Sequence, residues 1–210
     1  MTDSNITSPP YFSSDLIIAK YGINDKIESY LQEILLYNEK VNLVSRETSI
    51  EDLKTIAVDS LVPFEFAPSP DGHIFDIGPG AGFPSIVVLL AFPDLCGLLI
   101  ERTQKKIVFL RKTIDIFRLD AEIIHADFAE AKRNIKFSSF NTGLMKLVRP
   151  DPNLLQNVAD ILKPGGFFIY YADLNDKTIV IPARLEMKKY KYFLDKHNQV
   201  RTITILKKTS

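Results

Sequence analysis

Three carboxylates and three glycines carry most of the chemistry this sequence offers. Asp76-Ile77-Gly78-Pro79-Gly80-Ala81-Gly82 sets an acid ahead of glycines at alternate positions, after apolar Ile74-Phe75 and before Phe83-Pro84 and an apolar segment. That is how a strand hands over to a helix across a tight turn that a ligand can touch. Gly78 and Gly80 lack the Cβ atoms that would block the approach, and Gly82 is expected to let the new helix pack on the strand. Glu101 follows about twenty residues later, where a carboxylate can accept both hydroxyls of a ribose. Asp127 reads either as a helix N-cap or as an acceptor for an adenine amino group with Phe128 stacking on the ring, and one residue can do both.

The glycines read G-x-G-x-G. A dinucleotide fingerprint would need its last glycine where Phe83 stands, so the spacing favours an adenosyl-sulfonium ligand over a nicotinamide one. Beyond the next turn, Lys146-Leu147-Val148-Arg149-Pro150 sets two cations where an acceptor would lie, each able to hold a phosphate or a carboxylate.

These residues need a scaffold that brings strand ends together, and the chain alternates accordingly. Strands are expected at residues 73–77, 97–101, 121–125, 141–146 and 167–171, with helices at about 84–91, 104–118 and 151–162 between them and a basic helical stretch around Lys132, Arg133 and Lys136. Lys163-Pro164-Gly165-Gly166 reads as a sharp turn. The alternation implies a mostly parallel α/β sheet covered on both faces, with ligands beyond the carboxyl ends of its strands. Residues 190–194 and 201–206 close it as an antiparallel pair. Upstream, residues 1–14 read as a flexible arm and 15–68 as an N-terminal helical cap split at Gly22 and Asn24, its last helix announced by a capping box over Thr48-Ser49-Ile50-Glu51. The ligand-binding domain then spans 69–210.

Composition narrows the function. At 210 residues, 46% hydrophobic and 25% charged, the chain suits one α/β core with an appendage. No apolar run approaches the roughly 20 residues of a membrane span, and the polar start lacks a basic, apolar leader, so a cytoplasmic protein is expected. One cysteine, Cys96, excludes an internal disulfide, and His73, His125 and His197 are too scattered for a metal site or a Ser-His-Asp triad. The formal net charge of zero leaves any polyanion to a local patch. Lys188, Lys189, Lys191, Lys196, Arg201, Lys207 and Lys208 read either as such a strip or as a solvated face.

Residues 37–207 resemble the small-subunit ribosomal RNA guanine-N7 methyltransferases, the glucose-inhibited division protein B family. The likeness is carried by Tyr37-Asn38-Glu39-Lys40-Val41-Asn42-Leu43, Asp59-Ser60-Leu61, the stretch from Asp76 to Pro84, and Lys105-Lys106-Ile107-Val108-Phe109-Leu110. It implies the class I methyltransferase (Rossmann-like) fold, S-adenosylmethionine as cofactor with S-adenosylhomocysteine as product, and 16S rRNA or the small ribosomal subunit as partner, acted on by a monomer. By position Gly78, Phe83, Phe128 and Ala129 match the family's cofactor contacts. The chain departs from the pattern on the substrate side, with Ile56 for a His, Lys146 for an Arg and Tyr171-Ala172 for Lys-Gly. The reading is methyl transfer to guanine N7, with Asp76, Gly78, Gly80, Gly82, Phe83, Glu101, Asp127, Phe128 and Ala129 around the cofactor and Lys146 and Arg149 toward the acceptor. No catalytic residue is expected, because N7 carries no proton and positioning suffices. A small-molecule methyltransferase roofed by the cap, or a non-catalytic nucleotide- or RNA-binding module, stand as alternatives.

Overall fold

The computed structural model describes residues 8–175, 179–195 and 199–209. Strand β1 (Tyr11–Phe12) leads into helices α1 (Ser14–Tyr21), α2 (Asn24–Asn38) and α3 (Ile50–Leu61). The alternating part follows as β2 (His73–Ile77), α4 (Ser85–Ala91), β3 (Cys96–Glu101), α5 (Gln104–Phe117), β4 (Ala121–His125), α6 (Phe128–Ala131), β5 (Phe140–Met145), α7 (Leu154–Ile161) and β6 (Leu162–Tyr170). Strands β7 (Leu185–Leu194) and β8 (Arg201–Lys208) close the chain. The sheet runs β1-β7-β8-β6-β5-β2-β3-β4. From β6 to β4 all neighbours are parallel, and β8 is antiparallel to both β6 and β7. The five parallel strands therefore send their carboxyl ends to one edge, the place where open α/β sheets hold ligands.

Local signals explain the helix ends. Gly22, at φ 63°, closes α1 in the left-handed conformation and returns its N–H to Ala19 and Ile18. The capping box of α3 forms one residue later than the sequence suggests, with Ser49 as N-cap and Asp52 as its reciprocal partner. Two layers cover the sheet. Helices α1 to α5 share one apolar core that includes Tyr30, Leu53, Ile86 and Phe109, while α6 and α7 bury Phe128, Leu155 and Val158 with Phe75 and Phe168 against the other face. The first three helices thus belong to the same core as the sheet.

Two expectations are corrected and a third is narrowed. Residues 1–7 lie outside the described residues, but the rest of the supposed arm is tied down: Tyr11 and Phe12 pair with Phe193 and Leu194, and the Ser14 N–H donates to Asp195 at 2.8 Å. The stretch Lys163-Pro164-Gly165-Gly166 is a bulge inside β6 and not a turn before it, because between the pairs Phe140–Leu162 and Thr142–Phe167 β5 advances two residues and β6 five. The basic tail is also dispersed. Lys189 pairs with Asp173 at 2.6 Å, Arg201 with Asp59 at 3.2 Å, and buried Lys208 donates to the Leu162 carbonyl at 2.7 Å. Lys196 and His197 lie outside the described residues.

One glycine is set by packing alone. A Cβ on Gly143, in β5, would stand 2.2 Å from Phe75 Cζ and 2.9 Å from Phe168 Cδ2. Phe75 is wedged in turn against Phe128 and Phe140, so the wall cannot shift cheaply. Gly143→Ala is expected to destabilise by about 3 kcal/mol through overpacking, read as a lower urea midpoint at unchanged m-value.

Candidate active site

At the carboxyl end of β2 the chain turns through Gly78, Gly80 and Gly82 at φ 69°, 62° and 102°, a region other residues enter only at a cost. The Gly78 N–H donates to the Ile100 carbonyl at 2.9 Å, which sets the turn against the end of β3. A side chain on Gly78 would meet Val148 Cγ2 at 2.7 Å, whereas a Cβ on Gly80 would make only ordinary contacts, the nearest with Lys106 Nζ at 3.8 Å. Gly82 has a packing task, and toward α2 as well as the new helix. Its missing Cβ makes room for Ile86 of α4 at 2.5 Å and for Tyr30 Oη of α2 at 2.6 Å. The buried Tyr30 hydroxyl donates to the Ala81 carbonyl at 2.6 Å, so the N-terminal helices brace the turn from behind. Tyr30 went unnoticed in the sequence, where it is one of several apolar positions along a helical face.

Three acids stand at this edge in three different states. Glu101 is buried at the end of β3 and bonds the turn itself, accepting from the Gly80 N–H at 3.1 Å and from the Thr103 N–H at 2.8 Å. Asp127 is exposed and caps α6 by accepting from the Ala129 N–H at 3.2 Å, while Ala129 is itself open to solvent. Asp76 is buried, and its Oδ2 accepts from the Ser85 N–H at 3.1 Å. Its Oδ1 and the Ser85 Oγ have no partner among the described residues. Burial raises the Asp76 carboxyl to about 7, and the charge of Glu101 adds to the push against the hydrogen bond from the Ser85 N–H.

Two aromatic expectations are corrected. Phe128 is buried with its ring stacked 6.2 Å from Phe75, and Phe83 is buried against Tyr30 at 5.6 Å. Both rings belong to the core beneath the site.

The acceptor side changes more. Lys146 is not an open cation: its ammonium is buried, donates to Asp59 at 2.6 Å and to the Ile56 carbonyl at 3.3 Å, and lies 5.0 Å from the Tyr171 ring centre. The three positions that depart from the family pattern, Ile56, Lys146 and Tyr171, therefore meet in one cluster, with the Tyr171 hydroxyl donating to the Ser60 carbonyl at 2.7 Å. Asp59 is its hub, accepting also from Tyr192 Oη at 2.5 Å and Arg201 at 3.2 Å. Burial works to raise the Asp59 carboxyl, but Lys146, Arg201 and Tyr192 together hold it below the ordinary carboxylate range. One local signal could have marked Asp59, since an acid in the last turn of a helix opposes the helix dipole unless a cation answers it. Arg149 is exposed at the rim. Beside it Leu147 is 90% exposed with φ 59°.

Among the described residues, no group of His, Cys, Asp and Glu is placed to hold a metal, and no helix is long and apolar enough to cross a membrane. The family model described as rRNA small subunit methyltransferase G matches residues 23–204. A ribosomal RNA small subunit methyltransferase G from Borrelia hermsii (strain HS1 / DAH) is 30% identical over 156 residues, 73% of each chain. One from Borrelia duttonii (strain Ly) is 30% identical over 178 residues, 82% of this chain and 79% of that one. Among solved structures, the O-methyltransferase from Bacillus cereus in complex with SAH superposes with a TM-score of 0.61 at 16% identity, over 93% of this chain and all of that one. TrmN from Thermus thermophilus superposes with a TM-score of 0.58 at 15% identity, over 72% of this chain and 48% of that one. These two likenesses speak for the class I methyltransferase fold. With the family model matched across α2 to β8 and the glycine turn and acids at the sheet's carboxyl edge, the chain belongs to the rRNA small subunit methyltransferase G family.

Proposed function

We propose that the chain transfers a methyl group from S-adenosylmethionine to N7 of a guanine in 16S rRNA. The observation that carries this is the glycine turn at the carboxyl end of β2, where Gly80 donates its N–H to the buried Glu101 and a Cβ on it would meet nothing closer than Lys106 Nζ at 3.8 Å. The donors fit the cofactor. Asp76 Oδ1 is an unpaired acceptor in a buried place, suited to a cationic amino acid moiety, and Glu101 and Asp127 stand where an adenosine would reach. When bound, S-adenosylmethionine supplies an electrophilic methyl group on a sulfonium. Gly78 and Gly80 would admit it to the backbone, Glu101 would hold the ribose, and Asp127 with the backbone of Phe128 and Ala129 would border the base. Phe83, Phe128 and Gly82 act from beneath by packing. Because guanine N7 offers a lone pair and no proton, the chain must supply neither base nor nucleophile, only alignment and exclusion of water. Arg149, exposed at the rim, is available to the acceptor, and Lys146 contributes through Asp59.

Isothermal titration calorimetry with S-adenosylhomocysteine is expected to show binding to the purified protein and a loss of about a hundredfold in Gly80→Asp, which adds a side chain to the ligand turn at a φ of 62° that side chains rarely adopt. Mass mapping of 16S rRNA from a strain lacking the protein is expected to show one missing methyl group. A complete methylation pattern in that strain would sink the rRNA assignment, and absence of binding would sink the cofactor.

A further inference from the structure

Beyond the cofactor site, the same carboxyl edge carries a small open pocket of about 190 Å³ lined by Asp59, Tyr171, Tyr192, Gln199, Arg201 and Thr202, with Val200 between. Tyr171 follows directly on β6, and Arg201 opens β8. The pocket therefore lies beside the end of β5, on the acceptor side of the glycine turn.

Its charges are unequal. Asp59 is one carboxylate shared by two cations, Lys146 and Arg201. Lys146 is sealed, with 6% of its side chain exposed, while Arg201 shows 31% of its side chain to solvent. The guanidinium has five N–H donors in a fixed fork, and among the described residues only Asp59 is bonded to it, through one nitrogen. Lys146 thus serves as the standing counter-ion of Asp59, which leaves Arg201, in the lining of the pocket, as a partly exposed surplus positive charge. A neutral base would leave that charge unanswered. An anionic oxygen accepts the free donors, with Gln199 and Thr202 as polar walls.

We infer that this pocket is a phosphate-binding site in which Arg201 holds a phosphodiester oxygen of the RNA acceptor and so sets its register against the cofactor. The inference rests on the reading of the chain as an rRNA methyltransferase and names a contact for that substrate. It also accounts for the lysine after β5, which supports Arg201 through Asp59 instead of touching the acceptor.

The test is a salt titration of binding to in-vitro-transcribed 16S rRNA, with calorimetry on S-adenosylhomocysteine run on the same preparations. Arg201→Gln is expected to bind the RNA about tenfold more weakly and to lower the slope of log affinity against log salt by about 0.7 to 0.9, the share of one phosphate. Arg201→Lys should keep most of the slope, because the charge remains while the fork is lost. Gln199→Glu, at an exposed position away from Asp59 bonding, should reproduce the lowered slope by placing a carboxylate in the pocket, and it guards against misfolding of the arginine variant. S-adenosylhomocysteine affinity should stay unchanged in all three. Wild-type slope and affinity in both Arg201→Gln and Gln199→Glu, with cofactor product still bound, would overturn the phosphate site and leave the methyltransferase reading standing. A wild-type protein that fails to bind S-adenosylhomocysteine overturns both.

Discussion

Asp59→Ala is expected to lower the unfolding free energy by about 3 to 5 kcal/mol, because it leaves the buried Lys146 ammonium without its counter-charge. Against the roughly 5 to 15 kcal/mol that holds a typical domain together, this is a third or more of the whole. The loss is greater than that of an exposed pair for a specific reason. Lys146 cannot swing out to water, since its Nζ lies between α3 and the end of β5 with the Tyr171 ring beside it. Adding Lys146→Met to Asp59→Asn should recover much of the loss, as an apolar side chain needs no partner there. Equilibrium urea unfolding of the three proteins decides the matter: if Asp59→Ala costs less than 1 kcal/mol, the pair is not the keystone described. The pH dependence has a definite sign. A carboxyl held below its ordinary range lends stability that is present above the unfolded value of 3.8 and is lost as pH falls through the lower folded value.

Asp76 should behave in the opposite sense. Its carboxyl, raised from 3.8 to about 7, holds a proton in the folded protein that the unfolded chain has already released. Stability therefore falls as pH rises from about 4 to 7, by up to roughly 4 kcal/mol in total. Asp76→Asn abolishes that slope, so its advantage over the wild type should be near zero below pH 4, grow across the window and level off above pH 7. Function should move the other way. A cationic ligand favours the ionised carboxyl, so wild-type affinity for S-adenosylhomocysteine should rise through pH 7, while the asparagine variant binds more weakly without that rise. Thermal melts at stepped pH and calorimetry at pH 6 and 8 measure both. Parallel pH profiles for the two proteins would show that Asp76 is not the group responsible. A buried, half-satisfied acid beside a ligand turn is the kind of position where stability is given up for binding.

Among the parallel strands β2 and β4 fall where expected: β2 is buried almost throughout and reads as a short apolar run, and the edge strand β4 keeps its Ile123-Ile124 pair between turn residues, while β6 starts five residues early. The glycine turn was equally legible, since its positive φ angles are a property of residues with no Cβ. Turn chemistry misled only where two uses of Gly and Pro look alike, as at Lys163 to Gly166, where a bulge in β6 and a turn before it share the same composition. Strand β1 was invisible, because a two-residue strand exists only by pairing with β7 far along the chain. Phe128 was assigned to the ligand on its position after β4, and its stack with Phe75 from another strand claimed it for the core.

The sequence by itself determined the glycine-turn end of this protein. A strand, a turn of alternating glycines and an acid at the close of the next strand are local features, each written in a few adjacent residues. The acceptor end was decided only by the tertiary structure. Whether a lysine after β5 meets a substrate or a buried carboxylate depends on Asp59, 87 positions away, and on Arg201, 142 positions from Asp59. Charge is read from one residue, but its availability is set by whether folding buries it, because a charge shut off from water must be answered by an opposite charge within about 4 Å.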